Sequence, residues 1–386
     1  QRKARSLPQR RPMAGEDIAN GEILIDGGKI AGIGVKVDAP EDAEIIDAEG
    51  RLVTPGIVEA HCHTGDSARA IGISPDHNEK NDPLTPQLRI MDSFNPYDPQ
   101  LRRAIKAGVT SGVTTPGSAN IIGGTAMAVK FVGRRVDDMI IKNPAAMKIA
   151  FGENAKRVYG TEFKKAPMTR MAIASMLREI LYKARNYMEA KEAGKEPALD
   201  MKYEALIPVL RREIPMKAHA HRADDIFTAI RIAKEFNLRM TIDHCTDGAL
   251  IADILAEEGY PAFVGPTSGG TPTKHEVMNR SFETPAILHK AGVPFAIITD
   301  DPVITIEALP LCAGLAVRHG LPEEEAWKAI TIYSAAYTGI GERVGSLEVG
   351  KDADVVIWNG NPVTDITATV YRTIVDGNVV YCQGDK

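Results

Sequence analysis

The sequence has few cysteines, no long apolar run and no excess of positive charge. Its four cysteines are dispersed, without a CxxC pair, at Cys62, Cys245, Cys312 and Cys382. This usage is typical of a reduced, cytoplasmic protein. No apolar stretch approaches the roughly 20 residues that cross a bilayer, and the net charge of -5 gives no reason to expect nucleic acid. We therefore predict neither a membrane nor a nucleic-acid partner.

The two ends of the chain are rich in predicted β-strands. Residues 22–26 and 29–33 form a predicted hairpin around Gly27-Gly28, and residues 354–358, 369–375 and 378–381 are further strands, with a turn at Asp376-Gly377. Chain termini often lie close together, so residues 13–55 and 345–386 are predicted to build one composite β domain. Residues 1–12 are basic, and we predict a disordered tail or a sequence artefact.

The middle of the chain alternates apolar strands with amphipathic helices. The predicted strands are 57–60, 111–115, 147–151, 216–220, 240–243, 262–265 and 295–299. In the predicted helix 223–236, Ile226, Ile230 and Ala233 recur at helical spacing. This alternation predicts a parallel sheet covered by helices, and eight such units would close a barrel. An open doubly wound sheet is the rival, but no GxGxxG follows a strand. Residues 168–212 break the rhythm and predict an inserted helical pair.

The segment from Val53 to Gly65 is a short apolar strand that ends in two histidines. Side chains two apart on a strand share a face, so His61 and His63 project together and Cys62 points away. Neutral imidazole is a good ligand for zinc and neighbouring divalent metals. The pair therefore predicts part of a metal site.

Metal-competent side chains also follow other predicted strands. In a parallel barrel the carboxyl ends of the strands share one face, so these groups are predicted to converge. The residues are Lys148 and Glu153, His219 and His221, His244, and Asp300 with Asp301.

The order His-x-His, Lys or Glu, His, His and Asp resembles the amidohydrolase superfamily of metal-dependent hydrolases. It is most similar to the imidazolonepropionase-like and prolidase-like members. The phrase Val53-Thr-Pro-Gly-Ile-Val58 and the segment from Gly345 to Ile357 also resemble that family. The resemblance covers almost the whole chain after about Gly21. It implies an α/β fold with a (β/α)8 TIM-like barrel over residues 56–344 and a small β-sandwich made from both chain ends.

The resemblance also implies roles for individual residues. One or two divalent ions, with Zn2+ the expected metal, would be held by ligands from five strands. The fourth-strand ligand is either Lys148, carrying a carbamate, or Glu153, and His221 is a substrate contact that could exchange roles with His219. The implied metal ligands are His61, His63, Lys148 or Glu153, His219, His244 and Asp300, with Asp301 as the alternative to Asp300.

The implied activity is hydrolysis of a carbon–nitrogen bond in a small molecule by metal-bound hydroxide. The bond would be the amide or cyclic amide of an N-acyl amino acid, a dipeptide, an imidazolone or a ureide. Asp300 would act as base and then acid. In a mononuclear site made of His61, His63, His219 and Asp300, His244 would polarise the substrate. Heterocycle deamination is the alternative, and an inactive barrel scaffold is a third hypothesis. A homo-oligomer is compatible with the sequence. Loop residues Asn120, Arg157, Tyr159 and Arg222 are further candidate substrate contacts.

Overall fold

The computed structural model describes residues 18–66, 75–268 and 272–384, together with the backbone of residues 2–5. Two four-stranded sheets contain the strands from the chain ends. One has the order β3-β2-β1-β4 and the other β16-β15-β14-β5. These strands are β1 (Arg2–Arg5), β2 (Glu22–Asp26), β3 (Lys29–Gly34), β4 (Glu44–Asp47), β5 (Leu52–Pro55), β14 (Val355–Asn359), β15 (Thr369–Val375) and β16 (Asn378–Cys382).

The two end sheets share one apolar core, as a composite domain requires. Ile23, Ile25 and Ile46 from the first sheet pack in one cluster with Val355 and Ile374 from the second. The predicted hairpins are confirmed, since β2 pairs with β3 and β15 pairs with β16, both antiparallel. In the predicted tail, residues 2–5 form a strand between β2 and β4 instead of a disordered segment. The rest of that tail lies outside the described residues.

The remaining strands form one eight-stranded sheet in chain order, which curls into a barrel. Small apolar side chains of the barrel strands, such as Val58, Ala126 and Ala146, pack in one buried cluster with Ala335, which follows the last strand. Thr299, just past the last strand, donates through its N–H (3.0 Å) and Oγ1 (2.6 Å) to Glu59 on the first strand. The strands are β6 (Ile57–Cys62), β7 (Val109–Thr114), β8 (Ile122–Lys130), β9 (Ile140–Ala150), β10 (Met216–Ala220), β11 (Met240–His244), β12 (Ala262–Val264) and β13 (Phe295–Ile297).

The predicted barrel is confirmed, but one of its strands runs in the opposite direction. Strand β8 pairs antiparallel with both β7 and β9. Strand β8 is absent from the strands predicted above, and it contains glycines, which are depleted from strands. In the structure, Gly124 has a φ of +123°, and a Cβ there would lie 2.4 Å from the carbonyl oxygen of Leu88. The glycine therefore permits close contact between β8 and the loop after β6.

Helices pack around the barrel and fill the predicted insertion. The predicted helix 223–236 is confirmed as α6, with Ile226, Ile230 and Ala233 buried. The region 168–212 contains two long helices, α4 and α5, which pack on each other. The helices are α1 (Pro99–Lys106), α2 (Val136–Met139), α3 (Glu153–Ala155), α4 (Arg170–Glu192), α5 (Met201–Leu210), α6 (Ala223–Glu235), α7 (Ala252–Glu258), α8 (Thr284–Ala291), α9 (Leu309–Arg318), α10 (Glu323–Ala329) and α11 (Ile332–Tyr337). None of the helices among the described residues has the length and apolar character needed to cross a membrane.

Candidate metal centre

Residues from five barrel strands meet at the mouth formed by the carboxyl ends of the parallel strands. The predicted groups on β6, β9, β10 and β11, and the aspartate after β13, all reach this mouth. Two clusters of potential ligands share one histidine, and within each cluster the ligand atoms lie within 4.8 Å of one another. The clusters are His61, His244 and Asp300, and His219, His221 and His244.

Asp300 lies between the first two histidines. Its Oδ1 is 3.3 Å from Nε2 of His61 and 3.3 Å from Nε2 of His63. Donor atoms on a tetrahedral zinc with bonds of about 2.1 Å are about 3.4 Å apart, so each of these two imidazole–carboxylate pairs has the spacing of ligands on one ion. Burial by itself raises the pKa of Asp300, but the imidazoles of His244, His61 and His63 outweigh it and hold the pKa well below its usual range. The carboxyl group is therefore an anionic ligand or base.

Hydrogen bonds determine which ring nitrogen carries the proton in three of the imidazoles and which one keeps its lone pair. Nδ1 of His63 contacts the carbonyl oxygen of Thr115 at 2.7 Å, and Nδ1 of His244 contacts that of Gly265 at 2.9 Å. A carbonyl can only accept, so each Nδ1 carries the proton. Nδ1 of His61 likewise contacts the buried carboxylate of Asp243 at 2.6 Å. All three rings therefore present the Nε2 lone pair, as metal-ligating histidines with a bonded Nδ1 do.

Left-handed backbone conformations aim two of these groups at the mouth. His244 has a φ of +72° and Asp300 a φ of +55°. On a regular strand His244 would share the face of Ile242, which packs in the apolar core outside the barrel. The turn at His244 instead directs its ring inward. Residues other than glycine rarely adopt this conformation, and they keep it where the surrounding structure enforces it, often at active sites.

The histidines from β10 and β11 form the second cluster. The ring centroid of His219 lies 4.6 Å from that of His221 and 4.3 Å from that of His244. Both ring nitrogens of His219 and Nε2 of His244 are buried without a hydrogen-bond partner among the described residues. Buried polar atoms are normally paired, and unpaired ones at the mouth of a barrel indicate a site where a ligand can bind. The residues therefore fit a divalent metal. Both His219 and His221 lie within this cluster, and the choice between them as ligand stays a prediction.

Of the two candidates from the fourth strand, Lys148 reaches the histidines. Its Nζ lies 3.2 Å from Nε2 of His61, and its side chain is completely buried. No carboxylate of the described residues forms a salt bridge with it, and burial lowers its pKa to about 8. Glu153 faces elsewhere, because its Oε1 accepts a hydrogen bond from the backbone N–H of Glu276 at 3.1 Å. This arrangement favours Lys148 over Glu153.

The neighbouring Asp301 has other partners. Its Oδ2 accepts from Oγ1 of Thr64 at 2.8 Å, and its Oδ1 accepts from the N–H of Ile306 at 3.0 Å. Burial raises the pKa of Asp301 to about 6. Its carboxyl group thus ties the end of β13 to the loops, which leaves Asp300 as the carboxylate that contacts the histidines.

Two of the predicted substrate contacts form hydrogen bonds with residues 77–85, a segment we call the strap, which meets the mouth at His77. Nδ2 of Asn120 donates to the carbonyl oxygens of Glu79 (2.7 Å) and Asp82 (2.8 Å). The hydroxyl of Tyr159 donates to the same two oxygens, at 2.8 and 3.0 Å. Tyr159 lies in a π-helical turn, Lys156–Glu162, just after β9. These two side chains therefore support the strap, and their contact with a substrate stays a prediction.

The two predicted arginine contacts form ion pairs close to them in the chain. Arg157 pairs with Glu162, and its side chain is largely exposed. Arg222 pairs with Asp224 at 2.8 Å. Both guanidinium groups thus have carboxylate partners, and their assignment to a substrate carboxylate stays a prediction.

Three residues near the site were not assigned any role from the sequence. His77, in the strap, stacks on His63 with ring centroids 5.1 Å apart. Glu276, from the loop after β12, is buried 4.0 Å from Nε2 of His219. Asp243 precedes His244 and contacts His61. Asp243 could have been noticed in the sequence, because it is a polar residue inside an apolar strand. His77 and Glu276 lie in loops, and no local sequence pattern marks them as site residues.

The barrel and the site together define the class of protein. A (β/α)8-type barrel with histidines, a lysine and an aspartate at the carboxyl ends of its strands is typical of a metal-dependent hydrolase. The comparisons give the family. Residues 52–380 match the model of the amidohydrolase family. The chain belongs to this family, whose members use a divalent metal, and it is a hydrolase that acts on carbon–nitrogen bonds.

Three relatives illustrate the similarity. The amidohydrolase tasK of Hapsidospora irregularis is 30% identical over 94% of this chain, which spans 40% of that protein's length. The imidazolonepropionase of Colwellia psychrerythraea is 24% identical, over 91% of this chain and 88% of its own. A solved amidohydrolase structure from Thermotoga maritima has a TM-score of 0.95 and 42% identity, covering 99% of this chain and 100% of that one.

Proposed function

We propose that this protein hydrolyses the amide or cyclic amide bond of a small molecule, with Zn2+ bound at the candidate metal centre. The observation that carries the proposal is the convergence of His61, His63 and Asp300, with Nε2–Oδ1 distances of 3.3 Å, beside the unpartnered nitrogens of His219 and His244. Imidazole-rich sites with a carboxylate suit zinc.

The ligand set supports two cations. His61, His63 and Asp300 would hold one, and His219 and His244, with His221 as the alternative to His219, would hold the other. Lys148 lies beside His61 and would bridge the two as a carbamate, which removes the cost of burying an ammonium group. A divalent ion bound there lowers the pKa of a water molecule and polarises a carbonyl oxygen.

The protein's own groups supply the proton transfers. Asp300 is ionised and lies beside the Nε2 atoms of the first two ligands, so it accepts the proton of the attacking water. It then returns this proton to the leaving nitrogen. His244, held by its Nδ1–H bond to Gly265, would offer its Nε2 to the second cation or to the substrate carbonyl.

Two observations support the order in which we place the candidate substrates. One relative is named imidazolonepropionase, and that name refers to an imidazolone. We therefore place imidazolones and ureides first, followed by N-acyl amino acids and dipeptides. His77 of the strap stacks on His63 at the mouth, and this contact favours a small substrate over a polypeptide.

The test combines metal analysis with a substrate panel. Purified protein should contain one or two divalent ions per chain, lose turnover when a chelator removes them, and regain it with Zn2+. The panel consists of cyclic ureides, imidazolones, N-acyl amino acids and dipeptides, together with amino-substituted heterocycles. Ammonia released from the heterocycles alone would indicate a deaminase. Reconstituted protein that binds no metal and turns over no compound would refute the proposal.

A further inference from the structure

Two buried lysines lie side by side beneath the imidazoles. Lys148 on β9 and Lys217 on β10 are paired in register. Their amino groups have different partners, because Lys148 contacts the ring of His61 whereas Nζ of Lys217 lies 3.1 Å from Oδ2 of Asp243. Both partners in this ion pair are at most 2% exposed. The buried ammonium group of Lys217 is therefore paired with a carboxylate. Lys217 is not one of the candidate metal ligands, so metal binding itself does not explain its charge.

Lys217 contacts the surroundings of His61 by two routes. Its Nζ donates to the carbonyl oxygen of Ala60, the residue before His61, at 2.9 Å. Its other partner, Oδ2 of Asp243, accepts from Nδ1 of His61 at 2.6 Å. One ammonium group thus holds both the backbone that carries His61 and the carboxylate that orients its ring.

The remaining surroundings leave the carboxylate and the ammonium group little freedom. Oγ1 of Thr241 donates to Oδ1 of Asp243 at 2.9 Å, so both oxygens of this carboxylate are bonded. The amino group of Lys217 also lies 4.2 Å from the ring centroid of Phe263, a cation–π distance. The pair is buried, so bulk water does not solvate either charge in the folded protein.

We propose that Lys217 is a positioning residue of the metal centre, acting through Asp243 to hold His61 with its Nε2 toward the cation. The inference rests on the proposed metal-dependent function. Groups that orient a ligating histidine typically change metal affinity by about 10- to 100-fold when they are removed. An apolar residue at position 217 would preserve the barrel core and free the carboxylate to rotate, so the ring of His61 would lose its fixed orientation.

The experiment measures metal binding by the full-length protein, without any substrate. Metal-free protein competes with a chromophoric chelator for Zn2+ and Co2+. We expect K217M and D243N each to bind about 10- to 100-fold more weakly than wild type. The double variant should bind no more weakly than D243N, because residues that act through one another are non-additive. The visible spectrum of bound Co2+ should change in the same way in both single variants.

Lys130 provides a matched control. It is also a buried lysine, and its Nζ pairs with Asp352 (2.8 Å) and Asp354 (2.9 Å) at the junction between the barrel and the end sheets. K130M should lose stability in urea but keep wild-type metal affinity and the wild-type Co2+ spectrum. Equal weakening in K130M would show a general effect of destabilisation and would overturn the inference.

Other outcomes decide the remaining cases. Wild-type affinity in folded K217M, or single effects that multiply in the double variant, would overturn the inference and leave the proposed function intact. If K217M does not fold, Thr241→Val decides: it frees Oδ1 of Asp243 at almost constant shape, and we expect affinity to fall about 10-fold. Unchanged affinity in T241V would then refute the inference. A wild-type protein that binds neither metal would refute both the inference and the proposed function.

Discussion

Replacing Lys148 by methionine should stabilise the metal-free protein. The side chain is completely buried, and its amino group contacts an imidazole without a carboxylate within salt-bridge distance among the described residues. Burial lowers its pKa from 10.5 to about 8. This difference corresponds to about 3 kcal/mol of unfolding free energy that the protonated amine costs at pH 7. Methionine has a similar length and carries no charge, so K148M should recover about that amount.

The pH dependence of unfolding tests whether the protonated amine of Lys148 destabilises the fold. Because the pKa of this lysine is lower in the folded state, the unfolded chain binds more protons between about pH 8 and 10.5. The wild-type protein should therefore gain stability over that range relative to K148M. Urea unfolding of both proteins should show a smaller difference in unfolding free energy between K148M and wild type at pH 9.5 than at pH 7. Buffers depleted of carbon dioxide are needed, because a carbamylated amine would not carry the charge.

The same substitution at Lys130 should have the opposite sign. This lysine is 5% exposed, and burial lowers its pKa, but the aspartates around it outweigh burial and raise the pKa overall. Removing it leaves Asp354 as a buried carboxylate without its cation, at a cost of about 3–5 kcal/mol. A K148M variant that is as stable as wild type or less stable at pH 7 would refute the reasoning, because the amine would then be well accommodated in the fold.

Three further predictions concern the site and its loops. Asp300→Asn should lower turnover of whichever panel compound is hydrolysed by about 10²- to 10⁴-fold and weaken metal binding; unchanged values for both would remove its assigned role. Gly152→Ala should destabilise by about 1–3 kcal/mol in urea, because φ is +91° and the new Cβ would lie 2.3 Å from the carboxylate of Glu276. Gly194→Ala, at a φ of +76° with open space around it, is the control and should cost less. Tyr159→Phe should speed hydrogen exchange in the strap without changing metal content, and equal exchange would show that these bonds do not hold it.

The sequence determined the barrel and most of the candidate ligands. Apolar strands alternating with amphipathic helices specify this architecture locally, and each candidate ligand follows its own strand. Because parallel strands place their carboxyl ends together, His61, His63, His219, His244 and Asp300 could be assigned to one mouth without any distance information. The same logic did not extend to β8, whose glycines and alanines carry a weak strand signal and whose direction depends on pairing with both neighbours.

Only the tertiary structure decided which polar groups face one another. His61 and Asp243 are 182 positions apart in the sequence, so no local sequence pattern predicts their 2.6 Å contact. The preference for Lys148 over Glu153 depends on which of the two side chains reaches the histidines. Asn120 and Tyr159 bond to the strap, although both are distant from it in the sequence. Strand periodicity fixes the face on which a residue lies, whereas its hydrogen-bond partner is fixed by packing across the barrel.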